Sequence, residues 1–188
     1  MQSELVKLRR PVAEDGAALH SVIGSCPPLD TNSLYCNLLQ CTHFAATSVV
    51  AEIDGALLAA VTGYLVPGNE NTLFIWQVAV AEAARGRGLA RKMLGEILAR
   101  PECKNVTYIE TTVTESNTAS WALFEGFARR ANVPLCRSEK FEKSIHLNDQ
   151  HPSEILARIG PLAASNGISQ ATPLLDQSNI DTTKEMST

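Results

Sequence analysis

The rhythm of apolar and polar positions changes several times along the chain, and each change predicts an element. Leu5 to Leu8 alternate as a first strand would. Pro11, followed by Glu14 and Asp15, marks a helix start, since proline tolerates the first helical position and acids favour the positive end of the helix dipole. That helix should run to about Ser25, where Cys26-Pro27-Pro28-Leu29-Asp30 breaks it. Ser33 reads as the cap of a second helix carrying Leu34, Leu38 and Cys41 at helical spacing. Ala45 to Ile53 reads as a strand, Asp54-Gly55 as a hairpin turn, and Ala56 to Val66 as the returning strand. After a turn at Pro67-Gly68-Asn69, the almost wholly apolar run Leu73 to Val80 predicts a central strand covered on both faces.

A loop, Ala81 to Arg87, then leads into a helix over about Gly88 to Arg100, with the stripe Leu89, Met93, Leu94, Ile97 and Leu98. Val106 to Val113 is the next expected strand, and Asn117 opens a helix to about Gly126. Two short strands are expected between Ala128 and Ile145. Strand, two helices, three strands, helix, strand, helix and strands imply a mixed α/β fold with one central sheet. The expected domain covers residues 1–162. Residues 163–188 are polar and without a sustained period, and are expected to form a disordered tail.

Composition narrows the function classes. Hydrophobic residues make up 45% of the 188 and aromatic residues only 5%, so an aliphatic core is expected. A net charge of -4 leaves no basic footprint for nucleic acid. The N-terminal residues lack the apolar segment of a signal peptide, and no apolar run is long enough to span a bilayer, so a cytoplasmic protein is expected. The five cysteines, Cys26, Cys36, Cys41, Cys103 and Cys136, have apolar neighbours and no CxxC spacing. They read as buried free thiols, and no metal site is expected.

The chemistry-bearing segment is Arg85-Gly86-Arg87-Gly88-Leu89-Ala90, between a buried strand and an amphipathic helix. Glycines at such a junction let the backbone approach a bulky anion, which the first-turn N–H groups and the helix dipole then hold. Arg85 and Arg87 add guanidinium groups suited to phosphate oxygens. Neither a Walker loop nor a dinucleotide fingerprint is present, because Gly-Lys-Ser/Thr and the third glycine are missing. Arg-x-x-Gly-x-Ala after an apolar strand resembles the pyrophosphate loop of the GNAT superfamily of acetyl-CoA-dependent N-acetyltransferases. The resemblance implies a GNAT fold, a mostly antiparallel mixed sheet flanked by helices. It also implies that acetyl-CoA lies against Gln77, Val78, Ala79 and Val80, with its pyrophosphate held by Arg85, Gly86, Arg87, Gly88, Leu89 and Ala90. Asn117 and Trp121 resemble the superfamily's later coenzyme-contacting helix. Where the superfamily often carries a tyrosine as general acid, this chain has Phe124.

Four further segments narrow the resemblance: Cys26–Tyr35, Phe74–Val80, Glu110–Asn117 and Arg158–Pro161. In this order they resemble the diaminobutyrate acetyltransferases, the acetylating enzymes of ectoine biosynthesis. The resemblance covers roughly residues 5 to 162 and implies acetylation of the 4-amino group of L-2,4-diaminobutyrate by a homodimer. Such an amine has a pKa near 10.4, so holding it neutral at pH 7 costs about 4–5 kcal/mol. A base or a dry site must meet that cost.

Carboxylates are therefore the residues to weigh. Glu110, expected mid-strand on the face of Val106 and Tyr108, is the candidate base or amine ligand. Asp30 and the His151–Glu154 pair, expected in loops, are candidate ammonium ligands. Trp76 and Gln77 are expected to wall the acceptor, and Tyr35 is the phenol best suited to replace the missing tyrosine. The implied mechanism is direct attack in a ternary complex, with a strand amide near Val78 stabilising the oxyanion. No cysteine has the histidine company that covalent transfer would need. Rival readings are a GNAT enzyme for another small diamine or amino acid, and a non-catalytic acyl-CoA-binding module.

Overall fold

The computed structural model describes residues 5–163, so the tail expected from Ala163 onward lies, except for Ala163 itself, outside the described residues. Seven strands form one sheet: β1 (Val6–Arg9), β2 (Val49–Ile53), β3 (Ala56–Val66), β4 (Asn69–Val80), β5 (Tyr108–Thr114), β6 (Leu135–Phe141) and β7 (Glu154–Ile159). Their spatial order is β1-β2-β3-β4-β5-β7-β6. Only β4 and β5 run parallel; every other neighbouring pair is antiparallel. Helices α1 (Gly16–Gly24) and α2 (Leu34–Thr42) cover one face, where Leu19, Ile23 and Cys41 pack on Val50, Ala60 and Ala79. On the other face, α3 (Leu89–Leu98) and α4 (Thr118–Ala131) bury Met93, Ile97 and Phe124 against Val61, Ile75 and Ile109. A short helix, α5 (Lys143–His146), joins β6 to β7.

Local chemistry explains most of the boundaries. The Ser33 hydroxyl accepts from the Cys36 N–H and caps α2. Asp54 and Gly55 hold φ of 50° and 84°, the left-handed pair that a two-residue hairpin requires. In the α3 stripe Leu89, Met93, Leu94 and Ile97 are buried and Leu98 is partly so.

Several features differ from expectation. Ala45–Thr47 forms a 3-10 turn rather than the start of a strand. There the buried Arg100 guanidinium draws in the carbonyls of Ala45, Ala46 and Ser48 at 3.2, 2.9 and 2.7 Å. Helix α4 runs past Gly126 to Ala131, where Asn132 turns left-handed and ends it. Only one strand lies between Ala128 and Ile145. The second is Glu154–Ile159, which inserts between β5 and β6, so Glu154 opens a strand rather than sitting in a loop. Finally, Cys136 is exposed and Cys36 half-buried, because β6 is an edge strand and Cys36 lies on the outer side of α2; the other three thiols are buried.

The feature that shapes the site is a gap. β4 pairs with β5 only at Thr72, Leu73 and Phe74, opposite Tyr108, Ile109 and Glu110. Beyond that vertex the two strands diverge. A bulge at Trp76 drives the divergence: Thr62 pairs with Gln77 and Gly63 with Ile75, leaving Trp76 without a partner on β3. Side-chain parity flips there. Leu73 and Ile75 pack toward α3, whereas Gln77 and Ala79 point toward α1 and α2.

Candidate active site

The edge of β4 that lines the gap carries free backbone groups. Ala81 N–H donates to Leu58 O across the β3 edge at 2.9 Å. Hydrogen-bonded and non-bonded pairs alternate along antiparallel strands. The pairs Ala60–Ala79 and Thr62–Gln77 are therefore bonded to β3, and the N–H and C=O groups of Val78 and Val80 turn into the gap. The Arg85 side chain agrees with this, since its Nε donates to Val80 O at 3.2 Å.

Gly86 and Gly88 follow with φ of 77° and 68°, and Gly88 is the N-cap of α3. A Cβ on Gly86 would meet nothing within 4 Å, so the demand for glycine there is conformational. Arg85, Arg87, Leu89 and Ala90 thus surround a helix N-terminus that opens onto the end of the gap. Arg87 also donates to Ala83 O at 3.2 Å.

At the opposite rim, Asn117 and Trp121 brace the corner between β5 and α4. Asn117 Oδ1 accepts from Ser120 N–H at 3.1 Å, and Trp121 Nε1 donates to Thr114 O at 3.2 Å. The Trp121 ring is buried under the Arg137 guanidinium. It supports the gap wall.

On the α1–α2 face, a cavity of about 330 Å³ joins Trp76, Phe74 and Tyr64 to Glu110, Thr112 and Lys140. Glu110 does not share a face with Val106, which precedes β5 and packs in the core. Its side chain lies with Tyr108 and Thr112 and is paired with Arg158, its register partner on β7. The Arg158 guanidinium also covers the Tyr108 ring. A buried acid rarely lacks a partner, and here the partner comes from a strand more than forty residues away in sequence.

Gln77 is spent on structure. Its Nε2 donates to Asp30 O and its Oε1 accepts from Asn32 Nδ2, both at 2.7 Å. The side chain expected to touch the acceptor instead clamps the Asp30 loop onto β4.

The register across the gap decides which carboxylate faces what. Counting on from Phe74–Glu110, Gln77–Val78 comes level with Val113–Thr114, and Thr114 pairs with Glu154. Three to four strand residues separate Glu110 from that level, roughly 10–13 Å at about 3.3 Å per residue. Asp30, held by Gln77, stands on one wall, and Glu154 stands on the other. Burial pushes the Glu154 carboxyl above the ordinary carboxylate value; a hydrogen bond from Thr112 opposes this, Asp30 adds to it and His151 opposes it. The Asp30 carboxylate therefore lies near enough to Glu154 to disfavour its charged form.

Tyr35 is 70% exposed on the first turn of α2, just after Asn32. Tyr64, Thr112, Lys140, Phe141 and Arg158 were not singled out from sequence. Thr112 and Arg158 stood in segments that were, and alternation from Glu110 would have found Thr112.

The acetyltransferase (GNAT) family model matches residues 18–127. An L-2,4-diaminobutyric acid acetyltransferase of Methylotuvimicrobium alcaliphilum is 50% identical over 160 residues, 85% of this chain and 93% of that protein. One of Vibrio cholerae is 46% identical, over 84% of this chain and 91% of its own. Among solved structures, the diaminobutyrate acetyltransferase from Paenibacillus lautus, in complex with its substrate L-2,4-diaminobutyric acid and coenzyme A, superposes with a TM-score of 0.81. It is 36% identical, covering 85% of this chain and 96% of that one. The chain belongs to the GNAT acetyltransferase family and, within it, to the L-2,4-diaminobutyric acid acetyltransferases.

Proposed function

We propose that this protein transfers the acetyl group of acetyl-CoA to the 4-amino group of L-2,4-diaminobutyrate, giving N4-acetyl-L-2,4-diaminobutyrate. The observation that carries the reading is the open edge of β4 at Val78, level with Glu154, whose carboxyl burial pushes toward its protonated form. The donor fits the other half of the site. The open edge of β4 at Val78 and Val80 suits the pantetheine amides, and the Gly86–Gly88 turn with the α3 N-terminus suits the pyrophosphate.

Glu154 is the base in this reading, because its raised affinity for protons matches the task and its register matches the thioester. It takes a proton from the ammonium, and the neutral amine attacks the thioester carbonyl. The Val78 N–H meets the oxyanion. The C–N bond forms, the nitrogen gives up its second proton to solvent, the C–S bond breaks, and the thiolate leaves with a proton. In this reading Tyr35, three residues after the clamped Asn32, is the phenol that supplies that proton. Asp30 and His151 border the amine. Glu110, too far along β5 to touch the carbonyl, shapes the closed end of the cavity together with Arg158 and Trp76.

The biological setting is ectoine biosynthesis under osmotic stress, in the cytoplasm, by a homodimer. Sedimentation showing only monomer would contradict the last point. The activity is tested by thiol release with diaminobutyrate, ornithine, lysine and 2,3-diaminopropionate. Equal kcat/KM across the four would overturn the substrate assignment, and acetyl-CoA binding without turnover would overturn the enzyme.

A further inference from the structure

The cavity has a second bulge in its wall. In the β6–β7 ladder, Glu139 pairs with Ile155 and Phe141 with Glu154, so Lys140 is an extra residue without a partner. Bulges re-aim side chains, and this one brings both Lys140 and Phe141 to the cavity that Trp76, itself at a bulge, lines from β4. Two interruptions of one sheet thus converge on one space.

The charges around that space are unevenly committed. Asp30 and Glu154, the acids that the reading above assigns to the amine, lie beyond the lining of this cavity. Glu110 is paired with Arg158, and Arg158 is further held over Tyr108. Lys140 makes no ion pair among the described residues, and it is the cation among the residues lining the cavity. A diamino acid brings ammonium groups and a carboxylate. The ammonium end has its acids; the carboxylate, moved next to Glu110 and partly out of water, needs a positive partner.

We propose that Lys140 is the counter-ion for the carboxylate of the acceptor, and so the residue that makes this site select an amino acid over a plain diamine. The inference rests on the acetyltransferase reading above. It also gives the bulge in an edge strand a purpose beyond keeping that edge from pairing with another chain.

The test compares L-2,4-diaminobutyrate with propane-1,3-diamine, the same amine without the carboxylate, in the full-length protein. The wild type is expected to prefer diaminobutyrate. In Lys140→Met that preference should fall by about 10- to 100-fold, the worth of one hydrogen bond to a charged group. The change should appear in KM for diaminobutyrate, with kcat/KM for propane-1,3-diamine and KM for acetyl-CoA unchanged. Lys140→Arg should restore most of the preference. An unchanged preference in Lys140→Met would overturn the proposal and leave Lys140 as an edge-strand charge. Equal use of both acceptors by the wild type would overturn it as well. A wild type that acetylates neither would instead count against the acetyltransferase reading. A thermal midpoint matching the wild type shows that the variants fold.

Discussion

The two halves of the cleft are built in opposite ways. The proposed donor half is nearly continuous in sequence: strand β4, the glycine turn and the first turn of α3 follow one another from Gln77 to Ala90, and it offers mostly backbone groups. The proposed acceptor half draws on the Asp30 loop, β3, β4, β5, β6 and β7, and it offers side chains. A coenzyme shared by a whole family can be bound by backbone geometry that a short motif encodes. An acceptor peculiar to one branch needs particular side chains, and these come from whichever strands the fold brings together.

That contrast predicts mutations that separate the two halves. The largest effect is expected from Glu154→Gln, which removes the proposed base. Its kcat should fall about 100- to 10,000-fold, the usual worth of general base catalysis, while KM for acetyl-CoA holds. A wild-type rate in the thiol-release assay would return the base role to Glu110. Gly88→Val should do the reverse. Left-handed backbone at a β-branched residue costs about 1–3 kcal/mol, so KM for acetyl-CoA should rise on the order of ten-fold or more with KM for the diamine little changed. Equal rises in both would mean that the halves are not independent.

Gln77→Ala frees the Asp30 loop from β4. Losing two hydrogen bonds of about 1 kcal/mol each should raise KM for the acceptor several-fold and leave the donor alone, as initial rates against each substrate would show.

A smaller effect concerns pH. The base works deprotonated, so kcat/KM should fall as pH drops through the raised Glu154 value. Asp30→Asn removes an anion that contributes to the raising, so that acid limb should move to lower pH. A limb that stays in place, or moves up, would separate Asp30 from Glu154.

The last effect lies outside both halves. The hydrogen-bonded Arg9 guanidinium holds the Asp15 carboxyl below its ordinary value. A depressed carboxyl contributes stability that is present above the unfolded value and lost as pH falls through the folded one. Thermal midpoints below pH 4 should therefore depend on pH less steeply in Asp15→Asn than in the wild type, with kinetics at neutral pH unaffected.

Much of the architecture was legible in the chain. The Ser33 cap, the Asp54-Gly55 hairpin, the α3 stripe and the glycine turn all rest on interactions within a few residues, which local sequence reports well. The boundaries that differed depend on distant groups. The 3-10 turn at Ala45–Thr47 answers to Arg100, and the last strand is recognisable only once it lies between β5 and β6.

The site divides along the same line. Asp30, Trp76, Glu110 and Glu154 stood out as residue types suited to a diamine, but their roles depended on register. Glu110 sits at the vertex and Glu154 level with Val78, because one ladder pairs Phe74 with Glu110 and another pairs Thr114 with Glu154. Arg158 and Lys140 entered only through such pairings.

By itself, then, the sequence determined the fold class, the family and the donor element, since short-range periodicity and backbone conformation carry them. Only the tertiary structure brings Glu154 level with Val78, ties the Gln77 side chain to the Asp30 loop and sets Lys140 in the cavity wall. Those outcomes follow from strand register and two bulges, and a shift of one residue in either would send each side chain to the opposite face of the sheet.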